Sequence, residues 1–288
     1  MSGLLANLTE ALAPERPISI VDVGASPLRE PPYAELLSAG CAEVVGFEPQ
    51  KAAHEALMAE KPENATFVRA AVGNGGEGTL HWWEGSPGMA SLYPIRRLSA
   101  RYLGRFRGLA GSAQEMTLQT SALDDLDEVS EMDLLKIDVQ GSERDVLRGG
   151  AGKLKGAVAV ITEMRFYQLY RGEPALGQLD MELRAQGFVL HKFLSMSRTL
   201  LPSRHAEKLS RSARSQLIDG DAVYIRPLEK LEAWDTEPLK RMALCAMGAF
   251  QSYDLALMVL SELEDRGVIS VPQIDAIIDE LPAKMRVA

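Results

Sequence analysis

The sequence predicts an α/β fold built on a doubly wound, parallel sheet, and three observations carry the prediction. Ile18-Ser19-Ile20-Val21-Asp22-Val23 is an apolar run that opens directly into Gly24-Ala25-Ser26, the pattern of a buried strand followed by a ligand loop. Val44-Val45-Gly46-Phe47 is a second short apolar run, and it ends in an acid, Glu48. Up to Val72 such runs alternate with helical stretches of about ten residues, so the strands need crossover connections and lie parallel. Ligands of such sheets sit at the carboxyl ends of the strands.

The elements follow in order. Leu4, Leu5, Leu8 and Leu12 recur at helical spacing over 2–13, and Pro14 closes that helix. After the first strand, residues 29–32 turn and Tyr33 begins a helix that Gly40 ends. The second strand occupies 42–47, a helix over 51–61 stops at Pro62, and 65–72 reads as a third strand running into Gly73-Asn74-Gly75-Gly76. Alternating runs at 78–84 and 115–120 are expected to pair. Residues 132–139 and 157–164 supply two further strands, ending near Asp138 and Glu163. Between them a helix starts with Ser142 as N-cap, Asp145 three residues on and Glu143 placed to favour the helix dipole. A helix over 174–186, a strand over 188–193 and a last strand over 221–225, expected to run antiparallel, complete the sheet. From Glu229 onward the pattern is helical only, over 238–250, 253–265 and 272–281.

The chain thus divides into a domain over 1–228 and a C-terminal helical extension over 229–288, which either completes the core or forms a homodimer. Within the domain, residues 85–114 form a basic, lid-like insertion. It holds Gly85, Gly88, Gly104, Gly108 and Gly111 with Arg96, Arg97, Arg101, Arg105 and Arg107, and no acid. The insertion reads as a solvated basic face or as a lid whose arginine forks meet an anionic or polyhydroxylated substrate. Residues 203–214 are a second basic surface segment.

Composition bounds the partners. Hydrophobic residues at 46% and charged residues at 25% of 288 are those of an ordinary globular protein. A formal net charge of −9 argues against a broad nucleic-acid or anionic-membrane surface, although a local basic patch survives inside an acidic total. Cys41 and Cys245 are too few for a zinc site or a disulfide framework, and both are expected to be reduced core residues. No stretch approaches the roughly 18 apolar residues of a spanning helix. The N-terminus carries no basic leader, so a cytoplasmic protein is expected.

The first loop narrows the ligand. Gly24 lets the backbone approach a cofactor, and Glu48 accepts two hydrogen bonds from a ribose diol. A dinucleotide fingerprint asks for G-x-G-x-x-G, whereas Gly24 is followed by Ala25, Ser26 and Pro27, which make no pyrophosphate cradle. S-adenosyl-L-methionine carries no phosphate and tolerates a looser loop. Methyl transfer therefore ranks ahead of an NAD-type oxidoreductase or a non-catalytic cofactor-binding scaffold. Asp22, Gly24, Ala25, Glu48, Pro49, Ala71, Val72 and Asp138 are the expected cofactor contacts.

Six stretches in order then match a known family. Val21-Asp22-Val23-Gly24-Ala25, Gly46-Phe47-Glu48-Pro49, Ala70-Ala71-Val72-Gly73, Ala90-Ser91-Leu92, Thr120 with Leu123-Asp124-Asp125-Leu126, and Leu135 through Glu143 resemble the FkbM-type S-adenosylmethionine-dependent methyltransferases. The resemblance covers about residues 18–195. It implies a Rossmann-like class I methyltransferase sheet with a small helical appendage. For much of the family it also implies O-methylation of hydroxyls on sugars, polysaccharide or glycolipid units, or polyketides. Where the commonest family form has Glu-Gly, this chain has Gln140-Gly141.

The chemistry asks little of the protein beyond alignment and proton removal, because a sulfonium methyl is already an activated electrophile. Asp138 and Glu163 are the candidate bases, with Lys136, Glu143 and His191 behind them. Alternatively the two carboxylates hold a divalent cation that lowers the hydroxyl pKa. No metal-ligand set is assigned, and His81 and His191 read as structural.

Overall fold

The computed structural model describes residues 2–84, 86–105 and 113–287. Its strands are β1 (Ile18–Val23), β2 (Ala42–Phe47), β3 (Ala65–Val68), β4 (Ala71–Gly73), β5 (Glu77–Trp82), β6 (Gln114–Ala122), β7 (Leu134–Ile137), β8 (Ala159–Arg165), β9 (Val189–Phe193), β10 (Arg198–Thr199), β11 (Gln216–Leu217) and β12 (Asp219–Ile225). Its helices are α1 (Ser2–Leu12), α2 (Ala34–Ser38), α3 (Lys51–Ala59), α4 (Arg97–Tyr102), α5 (Glu143–Gly149), α6 (Leu176–Ala185), α7 (Thr236–Cys245), α8 (Tyr253–Asp265) and α9 (Val271–Glu280).

Seven strands form one sheet in the order β3-β2-β1-β7-β8-β12-β9. β3, β2, β1, β7 and β8 run parallel, while β12 runs antiparallel between β8 and β9. The predicted doubly wound sheet with an antiparallel last strand is therefore present. The order turns back at β1, whose neighbours β2 and β7 lead away in opposite directions, so the cleft opens at the carboxyl ends of these strands.

Both faces of the sheet are covered, which is why its strands read as near-continuous apolar runs. Ile18 and Ile20 of β1 point with Val44, Leu134, Ile161 and Val223 into one core, while Val21 and Val23 point with Phe47, Leu135, Ile137 and Val160 into the other. The second core is closed by Val146 and Leu147 of α5 and by Leu179 and Leu183 of α6. The first is closed by α1, α2 and the C-terminal helices, through Leu5, Leu8, Leu36, Leu239, Met242, Leu255, Val259 and Ile277. Each fully buried side chain of this size contributes about 1.5–3 kcal/mol. At the far end of the sheet the buried Asp133 pairs with Arg16 at 2.6 Å and with Arg241 of α7 at 3.4 Å, tying that helix to β7. Residues 236–281 are thus one layer of the sandwich.

The predicted third strand over 65–72 is in fact two. β3 stays beside β2, but the chain bends after it, with Ala70 N–H donating to Val68 C=O at 3.0 Å. β4 leaves the large sheet to lie parallel to β6, which pairs antiparallel with β5 as expected. β4 is buried, while β3 is only partly so and the bend carries the exposed Arg69, and a single charged residue within an otherwise apolar stretch does not separate two strands from one alternating strand. The effect of the bend is to bring Ala70, Ala71 and Val72 over the strand ends. No helix among the described residues is long and apolar enough to cross a membrane.

Candidate active site

The carboxyl ends of the strands are stitched together by backbone hydrogen bonds. Gly24 and Ala25 N–H both donate to Phe47 C=O at 3.0 Å, Asp138 N–H donates to Val23 C=O at 2.9 Å, and Glu48 N–H donates to Val68 C=O at 3.1 Å. They bring Gly24, Glu48 and Asp138 to one rim. Here a cleft of about 710 Å³ is walled by Val23, Phe47, Pro49, Ala71, Val72 and Leu80, with Gly24, Glu48, Ser91, Asp138, Gln140 and Ser142 among its polar positions.

Six of the eight expected cofactor residues line this cleft, and two do not. Ala25 is 1% exposed and packs inward behind the loop. Asp22 is buried too, and accepts the Tyr33 hydroxyl at Oδ2 over 2.6 Å while Lys136 Nζ pairs with its Oδ1 at 3.0 Å. Lys136 also donates to Gly24 C=O at 3.2 Å, so the pair braces the loop from below. Burial opposes the charge on Lys136, but Asp22 and Asp138 raise its pKa on balance. An ammonium held this way has no lone pair with which to accept a proton. Gly24 has a further reason beside the one expected: at φ 84° a Cβ there would overlap the Asp138 carbonyl. The close approach is made by the neighbouring strand end rather than by a ligand alone.

Two polar groups, Glu48 and Ser142, face this cleft. Glu48 is 7% exposed; its Oε1 accepts Gln50 N–H at 2.7 Å, and the Gln50 side chain hydrogen-bonds the same carboxylate. Burial pushes its pKa up to about 7, against the opposing hydrogen bond from Gln50. Ser142 Oγ is buried without a partner. It does not cap α5 as expected. The chain enters that helix through left-handed turns at Gln140 (φ 56°) and Gly141 (φ 116°), and Glu143 instead takes the Gly141 N–H on both carboxylate oxygens, at 2.9 and 3.1 Å. Asp145 is occupied by the Tyr93 hydroxyl at 2.6 Å.

A second, wider cleft of about 1500 Å³ adjoins the first and shares Ser26, Gly88, Asp138 and Gln140 with it. Its floor carries a dense network. Gln140 Nε2 donates to Asp138 Oδ1 at 2.8 Å and to Glu163 Oε2 at 2.9 Å, while its Oε1 accepts from Arg165 at 2.7 Å and from the Tyr170 hydroxyl at 3.2 Å. Arg165 spends its guanidinium on Glu163, Glu173 and Asp219 at 2.7–2.8 Å. Burial alone would lower its pKa, but these carboxylates raise it, so it stays charged. Burial raises Glu163 well above the carboxylate range despite Arg165, and Asp138 adds to the rise. Asp138 and Glu163 therefore stand side by side, as their strand-end positions predicted.

Several of these residues escaped the sequence reading. Arg165 lies two positions after Glu163 on β8 and so faces the same side, a signal lost because the strand was ended at Met164. Asp219 and Asp221 sit opposite Arg165 and Glu163 in the antiparallel ladder, a pairing that no local pattern contains. His191 and His81 lie outside both clefts, held by Ser252 at 2.7 Å and Glu115 at 3.2 Å. Among the described residues no three His, Cys, Asp or Glu side chains gather as a metal site.

The described part of the basic insertion walls the wider cleft. Ser91 exchanges backbone hydrogen bonds with His81, Arg96 N–H donates to Leu169 C=O at 2.8 Å, and Ala100 and Leu103 are buried beside Trp83, Leu169, Tyr170 and Ile218. Gly85, Arg107, Gly108 and Gly111 lie outside the described residues.

With the strand order and these clefts in place, the comparison with known families is decisive. The model of the methyltransferase FkbM domain matches residues 22–190. The chain belongs to the FkbM methyltransferase family. No curated protein matches this FkbM methyltransferase. Among solved structures it is similar to magnesium protoporphyrin IX methyltransferase from Synechocystis, at 10% identity over 78% of this chain and 77% of that one, with a TM-score of 0.39. It is also similar to precorrin-6y C5,15-methyltransferase from Geobacter metallireducens, at 10% identity over 77% of this chain and 87% of that one, with a TM-score of 0.36. Membership in the FkbM family implies S-adenosylmethionine as the methyl donor.

Proposed function

We propose that this chain methylates a hydroxyl oxygen of a sugar, a polysaccharide or glycolipid unit or a related metabolite, using S-adenosyl-L-methionine. The observation that carries the reading is the meeting of the two clefts at Asp138, a carboxylate exposed to both. The residues of the narrower cleft fit the donor: Ser142 Oγ is a buried polar atom without a partner, Glu48 presents a carboxylate, and Val23, Phe47, Val72 and Leu80 offer apolar walls. When bound there, the donor supplies an electrophilic methyl on sulfur.

The chain's own part is to bind, orient and take up a proton. Glu48 accepts the ribose diol, and Gly24, Pro49, Ala71 and Val72 shape the approach. Lys136 and Asp22 hold the first loop at fixed height. Asp138, with Oδ1 fixed by Gln140, presents Oδ2 to the acceptor hydroxyl as general base. Glu163 is drawn to Arg165 and Gln140 and acts as a positioning residue. In this scheme residues 229–288 are an extension that completes one face of the sheet, and any homodimer would form on the outer faces it leaves.

Calorimetry with S-adenosylhomocysteine and with NAD tests the donor. Binding of the first alone is expected, and binding of NAD alone would return the chain to the oxidoreductase reading. A radiolabelled-methyl assay on hydroxylated glycan and lipid-linked acceptors, run with and without chelator, then tests the acceptor and the metal-assisted variant.

A further inference from the structure

Beside the mouth of the wider cleft stands a surface with the opposite character to the rest of the chain. β10 and β11 pair antiparallel, Arg198 with Leu217 and Thr199 with Gln216, and so pin the base of a loop over 200–215. Ser197 and Ile218, immediately outside this ladder, line the cleft. Within 198–214 lie Arg198, Arg204, Lys208, Arg211 and Arg214 against Glu207 alone, in a chain of formal charge −9. All five cations are exposed, and none is in an ion pair among the described residues.

Large apolar side chains are exposed among these charges. Leu209 is 55% exposed and Met196 51%. α4 adjoins the same loop: the Tyr102 hydroxyl donates to Gln216 Oε1 at 3.1 Å, and Thr199 Oγ1 donates to Leu103 C=O at 3.3 Å. Leu98 and Tyr102, one helical turn apart on α4, turn outward and are 81% and 43% exposed, while Ala100 and Leu103 are buried. Cations and apolar tips thus lie together on a loop and a helix that contact each other beside the cleft.

We propose that this face docks peripherally on an anionic lipid surface, with the arginines and Lys208 on the headgroups and Leu98, Leu209 and Met196 at the acyl boundary. Each half of the pattern has a use there: the cations attract the surface over a Debye length, and the apolar tips insert. A single-stranded nucleic acid would use the cations, but its bases stack on aromatic platforms, whereas leucine and methionine tips offer none and the exposed Tyr102 already stacks on Tyr167. A free phosphate would ask for a closed pocket, and these cations stand on an open face. Docking places the wider cleft against the membrane, where a lipid-carried acceptor hydroxyl enters directly; only this last consequence rests on the methyl-transfer reading.

Flotation of the intact chain with vesicles of phosphatidylcholine, and with vesicles of phosphatidylcholine mixed with phosphatidylglycerol, tests the docking. Binding is expected to the mixed vesicles only and to fall as salt rises. Combined Arg204→Glu, Lys208→Glu and Arg211→Glu should weaken it on the order of a hundredfold or more, at about fivefold per neutralised cation. Leu98→Ser with Leu209→Ser should weaken it several-fold and leave the salt dependence unchanged. S-adenosylhomocysteine binding, measured on each variant, reports that the fold is intact. Equal flotation on neutral vesicles, no flotation, or a charge-reversed variant that floats like the parent would overturn the proposal. Retention on single-stranded RNA without flotation would assign the face to nucleic acid instead. A chain that floats but binds no S-adenosylhomocysteine would remove the methyl-transfer reading and leave the docking face standing.

Discussion

Asp138 and Glu163 share a single hydrogen-bond donor, the amide nitrogen of Gln140, at 2.8 Å from Asp138 Oδ1 and 2.9 Å from Glu163 Oε2. Two neighbouring carboxylates repel unless a donor or cation lies between them, and here the donor is neutral. Arg165 and Tyr170 on Gln140 Oε1 prevent the amide from turning over. Gln140→Glu would insert a third carboxylate in its place. Turnover is expected to fall by about ten- to hundredfold, with S-adenosylhomocysteine binding nearly unchanged. Unchanged turnover would mean that the Gln140 bridge between Asp138 and Glu163 does not matter to the reaction.

The same geometry separates the two acids. Asp138→Asn should lower turnover by roughly two to four orders of magnitude while cofactor binding holds. Glu163→Gln should cost about tenfold in turnover, together with a lowered melting temperature, because Glu163 Oε2 accepts from both Gln140 and Arg165 and an amide nitrogen in that place would face two donors. If Glu163→Gln is inactive and as stable as the parent, the roles are reversed.

Glu48 makes cofactor affinity depend on pH near neutrality. Its carboxyl is held up to about 7 by burial, and in the proposed binding mode the ribose diol would donate to the ionised form. Affinity for S-adenosylhomocysteine should therefore rise from about pH 6 to about pH 8, by up to about tenfold per unit below 7. Glu48→Gln should abolish this dependence, and Glu48→Ala should cost about 1.5–3 kcal/mol of binding. In the absence of ligand the sign is opposite for stability. The folded state retains a proton that the unfolded chain releases above 4.5, so Glu48 withdraws stability as pH rises from there to about 7. Calorimetric titration and thermal melts across this window check both halves.

Gly24→Ala is expected to destabilise the fold by about 3–5 kcal/mol, since it adds a Cβ against the Asp138 carbonyl at a backbone conformation that suits glycine. A thermal melt close to that of the parent would show that the two strand ends have room to separate.

Removal of residues 236–287 is expected to prevent folding rather than to release a stable smaller domain. Leu239, Met242, Val259 and Leu260 are all fully buried in the core shared with β1, β2, β8 and β12. Circular dichroism and solubility of the shortened chain measure this. A cooperative melt near that of the full chain would make the helices a dispensable extension.

The sequence by itself determined the parallel sheet, its direction and the rim of the site. Alternation within Ile18 to Val23 assigns each side chain to a face, and an acid or glycine at the end of an apolar run marks the carboxyl edge, because both signals are local along the chain. Glu48, Asp138 and Glu163 were legible for that reason. What only the tertiary structure decided depends on contacts between distant segments. The bend that parts β3 from β4, the ladder that sets Asp219 and Asp221 opposite Arg165 and Glu163, and the C-terminal helices that close one face leave no trace in local spacing. Gly24 and Ala25 show the limit most directly. Both are expected cofactor contacts from one loop, yet Gly24 lines the cleft with its backbone packed against Asp138 while Ala25 is turned inward, because packing of a neighbouring strand determines which side of a loop faces the cleft.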